Sequence, residues 1–196
     1  MKHYLESTLI DSGDEPLYLV WSKLYVQLHL ALVEVKKHND KINIGVSFPE
    51  YLFNAEKGIG FLGTKLRVLA NSEEELHNLK IKDWLARLSD YLHITSIREV
   101  PAHKVTGYAV FSRKQVKTNA DRLARHRVKR GDITFDEAVK RYQNVITTSD
   151  LPFIQLKSLT NQHSFRLFIH KENKDHVGIG GFNSYGLSMD ATVPEF

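Results

Sequence analysis

Hydrophobic positions recur at two different periods along this 196-residue chain, and the period identifies the element. His3 to Ile10 alternates loosely and predicts a strand. Leu17, Val20, Trp21, Leu24, Leu28, Ala31, Leu32 and Val35 follow at three- and four-residue spacing, which is one buried face of a helix. Ile42 to Phe48 is a short β-rich run stopped by Pro49, and Gly60 to Ala70 gives another, with Leu66, Val68 and Ala70 alternating against Lys65, Arg67 and Leu69. Ser72 followed by Glu73, Glu74 and Glu75 has the chemistry of a helix start, a capping hydroxyl and then carboxylates favoured by the N-terminal dipole. That helix is predicted to run to about His93 through Leu76, Leu79, Trp84, Leu85, Leu88 and Leu92, and Gly107 to Ser112 supplies a last strand. The order β-α-β-β-α-β predicts a ferredoxin-like domain over residues 1–112.

Residues 113–196 differ in character. Thr118, Asn119 and Asp121 form a helix start and Gly131 a natural stop, so an arginine-rich helix is predicted over about 119–130. Phe135 to Tyr142 reads as a second helix, and Phe153 to Leu156 with Phe165 to Ile169 as a hairpin around a polar loop at Asn161. Gly178, Gly180, Gly181 and Gly186 mark an irregular tail. The whole is an α+β chain: a ferredoxin-like domain, the basic helix, and a small irregular α/β C-terminal domain within 113–196.

Composition narrows the chemistry. With no cysteine there is no disulfide, zinc ribbon, iron–sulfur cluster or thiol nucleophile. Leu17 to Val35, the longest apolar candidate, is broken by Lys23, His29 and Glu34, so no membrane span is expected. The first thirty residues lack the pattern of a secretion signal, and a cytoplasmic protein is expected. Ten histidines occur without HxH, HxxH or HxxxH spacing, so no metal and no cofactor is expected.

Charge is concentrated in one place. Residues 113–130 hold eight basic side chains against Asp121 alone, a net of +7, whereas 1–112 carry −1 and 131–196 carry −2. A run like this is often a solvated helix face, but its isolation in a slightly acidic chain favours a polyanionic partner. On a helical wheel Arg122, Arg125, His126, Lys129 and Arg130 share an arc of roughly 140°. Ala120, Leu123, Ala124 and Val128 occupy most of the rest. A helix-turn-helix DNA reader is disfavoured, because Asp136 and Glu137 open the second helix, where phosphates would lie. Gly107-Tyr108-Ala109-Val110-Phe111 echoes an RNA-recognition strand only loosely. His29 lies on the flank of the first helix, on the stripe shared with Tyr25 and Val33, where periodicity by itself favours a structural or solvated histidine.

Several segments taken together point further. They are Gln27-Leu28-His29-Leu30-Ala31-Leu32-Val33, Ile44-Gly45-Val46-Ser47-Phe48-Pro49, and the basic helix after Arg113-Lys114-Gln115. Leu151-Pro152-Phe153, Phe165-Arg166-Leu167-Phe168-Ile169 and Gly181-Phe182-Asn183-Ser184-Tyr185-Gly186-Leu187-Ser188 complete the set. In order and spacing the chain resembles the CRISPR-associated endoribonucleases that process precursor CRISPR RNA in type I-F systems. The resemblance implies a metal-independent enzyme in which the substrate's own 2′-hydroxyl attacks the adjacent phosphate. It implies His29 as general base or acid, Ser158 holding the 2′-hydroxyl, and Tyr185 supporting the geometry. By the same resemblance Phe165 stacks beside the scissile phosphate, and Arg113 with Gln115 reads base edges. Arg122, Arg125, His126, Lys129 and Arg130 would follow a hairpin stem, with His126 and Ala124 standing where the family tends to have basic residues. The implied partners are the CRISPR repeat RNA hairpin and other protein subunits of an RNA-guided surveillance complex. The alternative class is an RNA-hairpin-binding subunit without turnover.

Overall fold

The structure, a computed structural model, describes residues 1–36, 42–116, 120–143, 149–158 and 162–196, without the side chains of 120–122 and 143. The helix start expected at Thr118 and Asn119 and the loop at Asn161 lie outside the described residues. The chain forms two compact units, one of residues 1–113 with 151–196 and one of residues 114–150.

In the first unit, β1 (His3–Leu9) is one of two inner strands of a sheet with β2 (Gly45–Ser47), β5 (Lys65–Ala70) and β6 (Leu92–Ile94), in the order β2-β5-β1-β6. A short β7 (Arg98–Glu99) also pairs with β1. Taken in chain order the four main strands run second-third-first-fourth, which fits a ferredoxin-like arrangement. Between β2 and β5 a separate two-stranded hairpin forms from β3 (Leu52–Asn54) and β4 (Ile59–Phe61). Helix α1 (Leu17–Lys36) buries Val20, Trp21, Leu24, Leu28, Ala31 and Leu32 as its spacing predicts, and Tyr25 besides. Each leucine so buried contributes roughly 1.5–3 kcal/mol.

Three expectations require correction. The helix begun by Ser72 has the predicted capping box with Glu75, but α2 (Glu73–Leu79) ends at Lys80, whose φ is +48°. A one-turn α3 (Ile81–Trp84) and a tight turn at Ala86–Leu88 follow, and Leu92 belongs to β6, paired with Leu9. Leu76, Leu79, Leu85, Leu88 and Leu92 are all buried, so their spacing reported burial correctly and helix continuity wrongly. The strand expected to close the first sheet, β8 (Gly107–Lys114), lies in a second one. Finally, the run from Gly60 to Ala70 is split between β4 and β5 by Gly63 at φ +77°, where a Cβ would stand 2.2 Å from Glu50 Cβ.

The second sheet runs β11-β8-β10-β9, with β9 (Phe153–Lys157), β10 (Ser164–Lys174) and β11 (Val193–Glu195). Strands β9 and β10 form the predicted hairpin, Leu156 opposite Phe165 and Lys157 opposite Ser164. Ile154, Leu156, Leu167, Ile169, Leu187 and Val193 join the same hydrophobic core as α1 and the first sheet. Residues 151–196 therefore sit in one compact unit with 1–113, unlike the division expected at residue 112.

The second unit contains α4 (Ala120–Val128) and α5 (Phe135–Gln143), which pack on each other. Ala124 and Ala138 are both fully buried, small residues that let two helices approach closely. Gly131 at φ +79° turns the chain between them, as its place at a helix stop predicts. Thr134 and Glu137 cap α5 reciprocally, and Arg127 pairs with Asp132. Among the described residues no helix is long and apolar enough to cross a membrane.

Candidate active site

The site forms where α1 meets the glycine-rich tail. Tyr25 and His29, four residues apart, lie on one flank of α1. The His29 Nδ1 stands 2.7 Å from the carbonyl oxygen of Ser184, and Tyr25 donates its hydroxyl to the carbonyl of Tyr185 at 2.9 Å. Two successive rungs of one helix thus hold two successive carbonyls of the tail.

The first of these contacts fixes a tautomer. A carbonyl oxygen can only accept, so Nδ1 carries the hydrogen, and in the neutral ring Nε2 has the free lone pair. The imidazole also stacks on the Tyr185 ring, with centroids 4.3 Å apart and planes 10° from parallel. A hydrogen bond in the ring plane and a ring against its face together fix how Nε2 is aimed. Tyr25 is fully buried, and that burial, reinforced by Tyr185 nearby, pushes its phenol above the ordinary range. It therefore stays a donor wherever the protein is folded.

The tail holds its half of the geometry through a tight turn. The Asn183 side chain accepts from the N–H groups of Tyr185 (2.8 Å) and Leu187 (3.3 Å), and the Gly186 N–H donates to the Asn183 carbonyl at 2.9 Å. Gly186 has φ +70°, and a Cβ there would lie 2.6 Å from Val46 Cγ1. Its carbonyl accepts from the Val46 N–H at 3.0 Å, which ties the turn to β2.

From Tyr185 the line continues to Arg113 and Phe165. The Arg113 guanidinium carbon is 5.9 Å from the Tyr185 ring centre and 5.5 Å from that of Phe165, both within cation–π range. Arg113 is exposed, whereas His29, Tyr185 and Phe165 are half-buried. The four form a continuous ledge of one imidazole, two aromatic faces and one fixed cation.

A family model described as CRISPR-associated protein (Cas_Csy4) matches residues 4–196. The chain belongs to the Cas_Csy4 family. The CRISPR-associated endonuclease Cas6/Csy4 of Escherichia coli (strain UTI89 / UPEC) is 35% identical over 198 residues, covering 100% of both chains. Its counterpart from Pseudomonas aeruginosa (strain UCBPP-PA14) is 37% identical over 198 residues, again covering 100% of both. A solved RAMP protein described as binding different RNA substrates covers 98% of this chain at 13% identity and a TM-score of 0.35.

Measured against this Cas_Csy4 chain's sequence-derived candidates, the structure brings His29, Tyr185, Arg113 and Phe165 together. Ser158 follows β9, its N–H bonded to the His163 carbonyl at 2.9 Å and its carbonyl accepting from Gln162 at 2.9 Å. Strand alternation puts it on the sheet face of Leu156 and Phe165, yet among the described residues it makes no hydrogen bond to His29 or Tyr185. Gln115 is exposed just past β8. Arg125 and His126 are exposed on α4 in the second unit, where Arg122 also lies, and Lys129 and Arg130 are exposed in the turn just after it. Sequence reasoning missed Tyr25, Asn183 and Gly186 as positioning residues. Tyr25 was detectable as the residue one turn before His29, and Gly186 as a glycine next to the candidate tyrosine.

Proposed function

We propose that this chain is a metal-independent endoribonuclease that binds the repeat stem-loop of precursor CRISPR RNA and cuts it at the base of the stem. Its relatives are CRISPR-associated endonucleases, which supports the reaction class. The observation that carries the reading is the His29 ring, fixed by the Ser184 carbonyl and the Tyr185 face with Nε2 left as a base.

In the reaction the 2′-hydroxyl beside the scissile phosphate loses its proton, its oxygen bonds to phosphorus, and the bond to the 5′-oxygen breaks. The products are a 2′,3′-cyclic phosphate and a 5′-hydroxyl, so protons lost and gained balance. His29 is suited to one of the two transfers, and the Ser184 carbonyl stabilises the ring once it is protonated. Ser158 would hold the attacking hydroxyl. Arg113 would neutralise charge building on the phosphate while the exposed part of Phe165 supports the terminal base pair. Gln115 adds an amide suited to an adenine edge, as Arg113 suits guanine. On the other unit, Arg122, Arg125, His126, Lys129 and Arg130 would follow the stem phosphates. The mature guide would stay bound and join other subunits of an RNA-guided complex.

The test uses a labelled repeat hairpin incubated with the protein in EDTA. One cut at the stem base, with a cyclic phosphate on one fragment and a 5′-hydroxyl on the other, is the expected result. A single 2′-deoxy nucleotide before the cut should abolish it. Fragments with 5′-phosphates, or cutting that survives the deoxy substitution, would refute the mechanism, and tight binding without any cut would leave a binding subunit.

A further inference from the structure

The first unit also holds a cavity of about 900 Å³ outside the His29–Tyr185 stack. Val26 of α1, Trp84 of α3, Leu88 and Leu156 of β9 give it apolar walls. Lys80, Arg87 and Lys157 line it too, all exposed and none in an ion pair among the described residues. Lys23 on the same lining is already neutralised by Glu15 at 2.7 Å, and Asp83 is the lone carboxylate on the wall. Lys80 occupies its place at φ +48°, a left-handed conformation that disfavours a residue with a side chain.

An indole among aliphatic side chains, rimmed by three unneutralised cations, is suited to a base with its phosphates, because the ring takes the base face and the cations the backbone. An acidic peptide would satisfy the cations but not the indole and the aliphatic walls. The volume falls in the range of small-ligand sites and is far too small for a duplex.

Its location indicates which nucleotide. Lys157 on the wall immediately precedes Ser158, and Val26 is three residues before His29, a neighbouring position on the helix surface. The lining thus neighbours two candidate site residues along the chain, while His29, Tyr185, Arg113 and Phe165 are not on it. We propose that it is a subsite for the unpaired RNA immediately beyond the cut, holding the departing strand while the stem is held elsewhere. This rests on the endoribonuclease reading above and adds to it a second contact region on the substrate.

The experiment measures binding of hairpins made uncuttable by a 2′-deoxy nucleotide, with and without a short unpaired tail beyond the cut site. The quantity read is the affinity gained from the tail, a ratio internal to each protein. For the unaltered chain the tail should raise affinity about tenfold. In Trp84→Ala, and independently in the double variant Arg87→Gln/Lys157→Gln, the gain should fall to about threefold or less. The second variant changes only exposed side chains, so it retains the test if Trp84→Ala fails to fold. Hairpin binding without a tail gain in the unaltered chain would overturn this inference alone and leave the cavity to an acidic protein segment. An equal gain in all three proteins would also overturn it. No binding of any hairpin would overturn the proposed function along with it.

Discussion

Gly186→Ala is the smallest change that tests how the candidate site is held. At φ +70° an alanine meets the left-handed penalty of roughly 1–2 kcal/mol. Its methyl would also stand 2.6 Å from Val46 Cγ1, well inside contact distance. Neither partner can easily give way, because Val46 is buried in β2 and its N–H is bonded to the Gly186 carbonyl at 3.0 Å. Overpacking of this kind costs about 1–3 kcal/mol, giving a total near 2–5 kcal/mol. For a chain of this size that corresponds to a fall in melting temperature of roughly 4–20 °C. The clash and the backbone strain separate in a double-mutant cycle with Val46→Ala, which removes the obstructing methyl groups but not the φ penalty. Against that background Gly186→Ala should cost only the backbone portion, about 1–2 kcal/mol. Cleavage measured well below the melting temperature should also slow, on the order of a hundredfold for a displacement near 1 Å, because the turn carries the Tyr185 ring and the Ser184 carbonyl together. Melting within a degree of the unaltered protein, or additivity with Val46→Ala, would refute the reasoning.

Two further outcomes follow from the same geometry. His29→Ala should lower the single-turnover cleavage rate by about 10²–10⁴-fold, the range for a positioned proton-transfer group, and a normal rate would remove His29 from the reaction. Lys129→Gln with Arg130→Gln should weaken hairpin binding and make the log–log salt dependence shallower by about two units, measured by titration over a range of salt, while an unchanged slope would make the basic run ending at Arg130 a solvated surface.

What was legible in the sequence is what depends on local periodicity. The α1 stripe, the Ser72–Glu75 capping box, the turn at Gly131 and the β9–β10 hairpin all follow from residues a few positions apart. Leu92 was misread because three strand residues are too few to show alternation, while the leucines before it keep a near-helical spacing through two short turns. The placement of β8 was illegible for another reason. Nothing local to Gly107–Lys114 distinguishes pairing with β1 from pairing with β10 and β11, and only those two later strands, which flank it, decide it. The candidate site belongs to this second class. His29 as a lone histidine had no local mark, and its significance comes from a carbonyl 155 positions away that fixes its tautomer. Tyr25 escaped notice because a buried aromatic on a helix stripe reads as core, which it is, and its hydroxyl is informative only once the Tyr185 carbonyl is found above it.

The role of α1 explains why a reaction so dependent on alignment can be built from such distant segments. Its inner face is anchored by Leu24, Leu28 and Leu32, all fully buried, so the helix cannot shift without opening the core. Its Tyr25 and His29 hold the tail, and its Ser22 donates to the Gln155 carbonyl of β9 at 2.5 Å. Ser22 and His29 are seven residues apart, about 10 Å along the axis at 1.5 Å per residue. In the proposed reaction, the proton-transfer group His29 at one end and the strand leading to Ser158 at the other are therefore spaced by a rigid rod, with no loop setting the distance. A change that loosens only the tail, as at Gly186, should then impair the cut while leaving the tail-dependent gain in RNA affinity, since that gain depends on α1, α3 and β9.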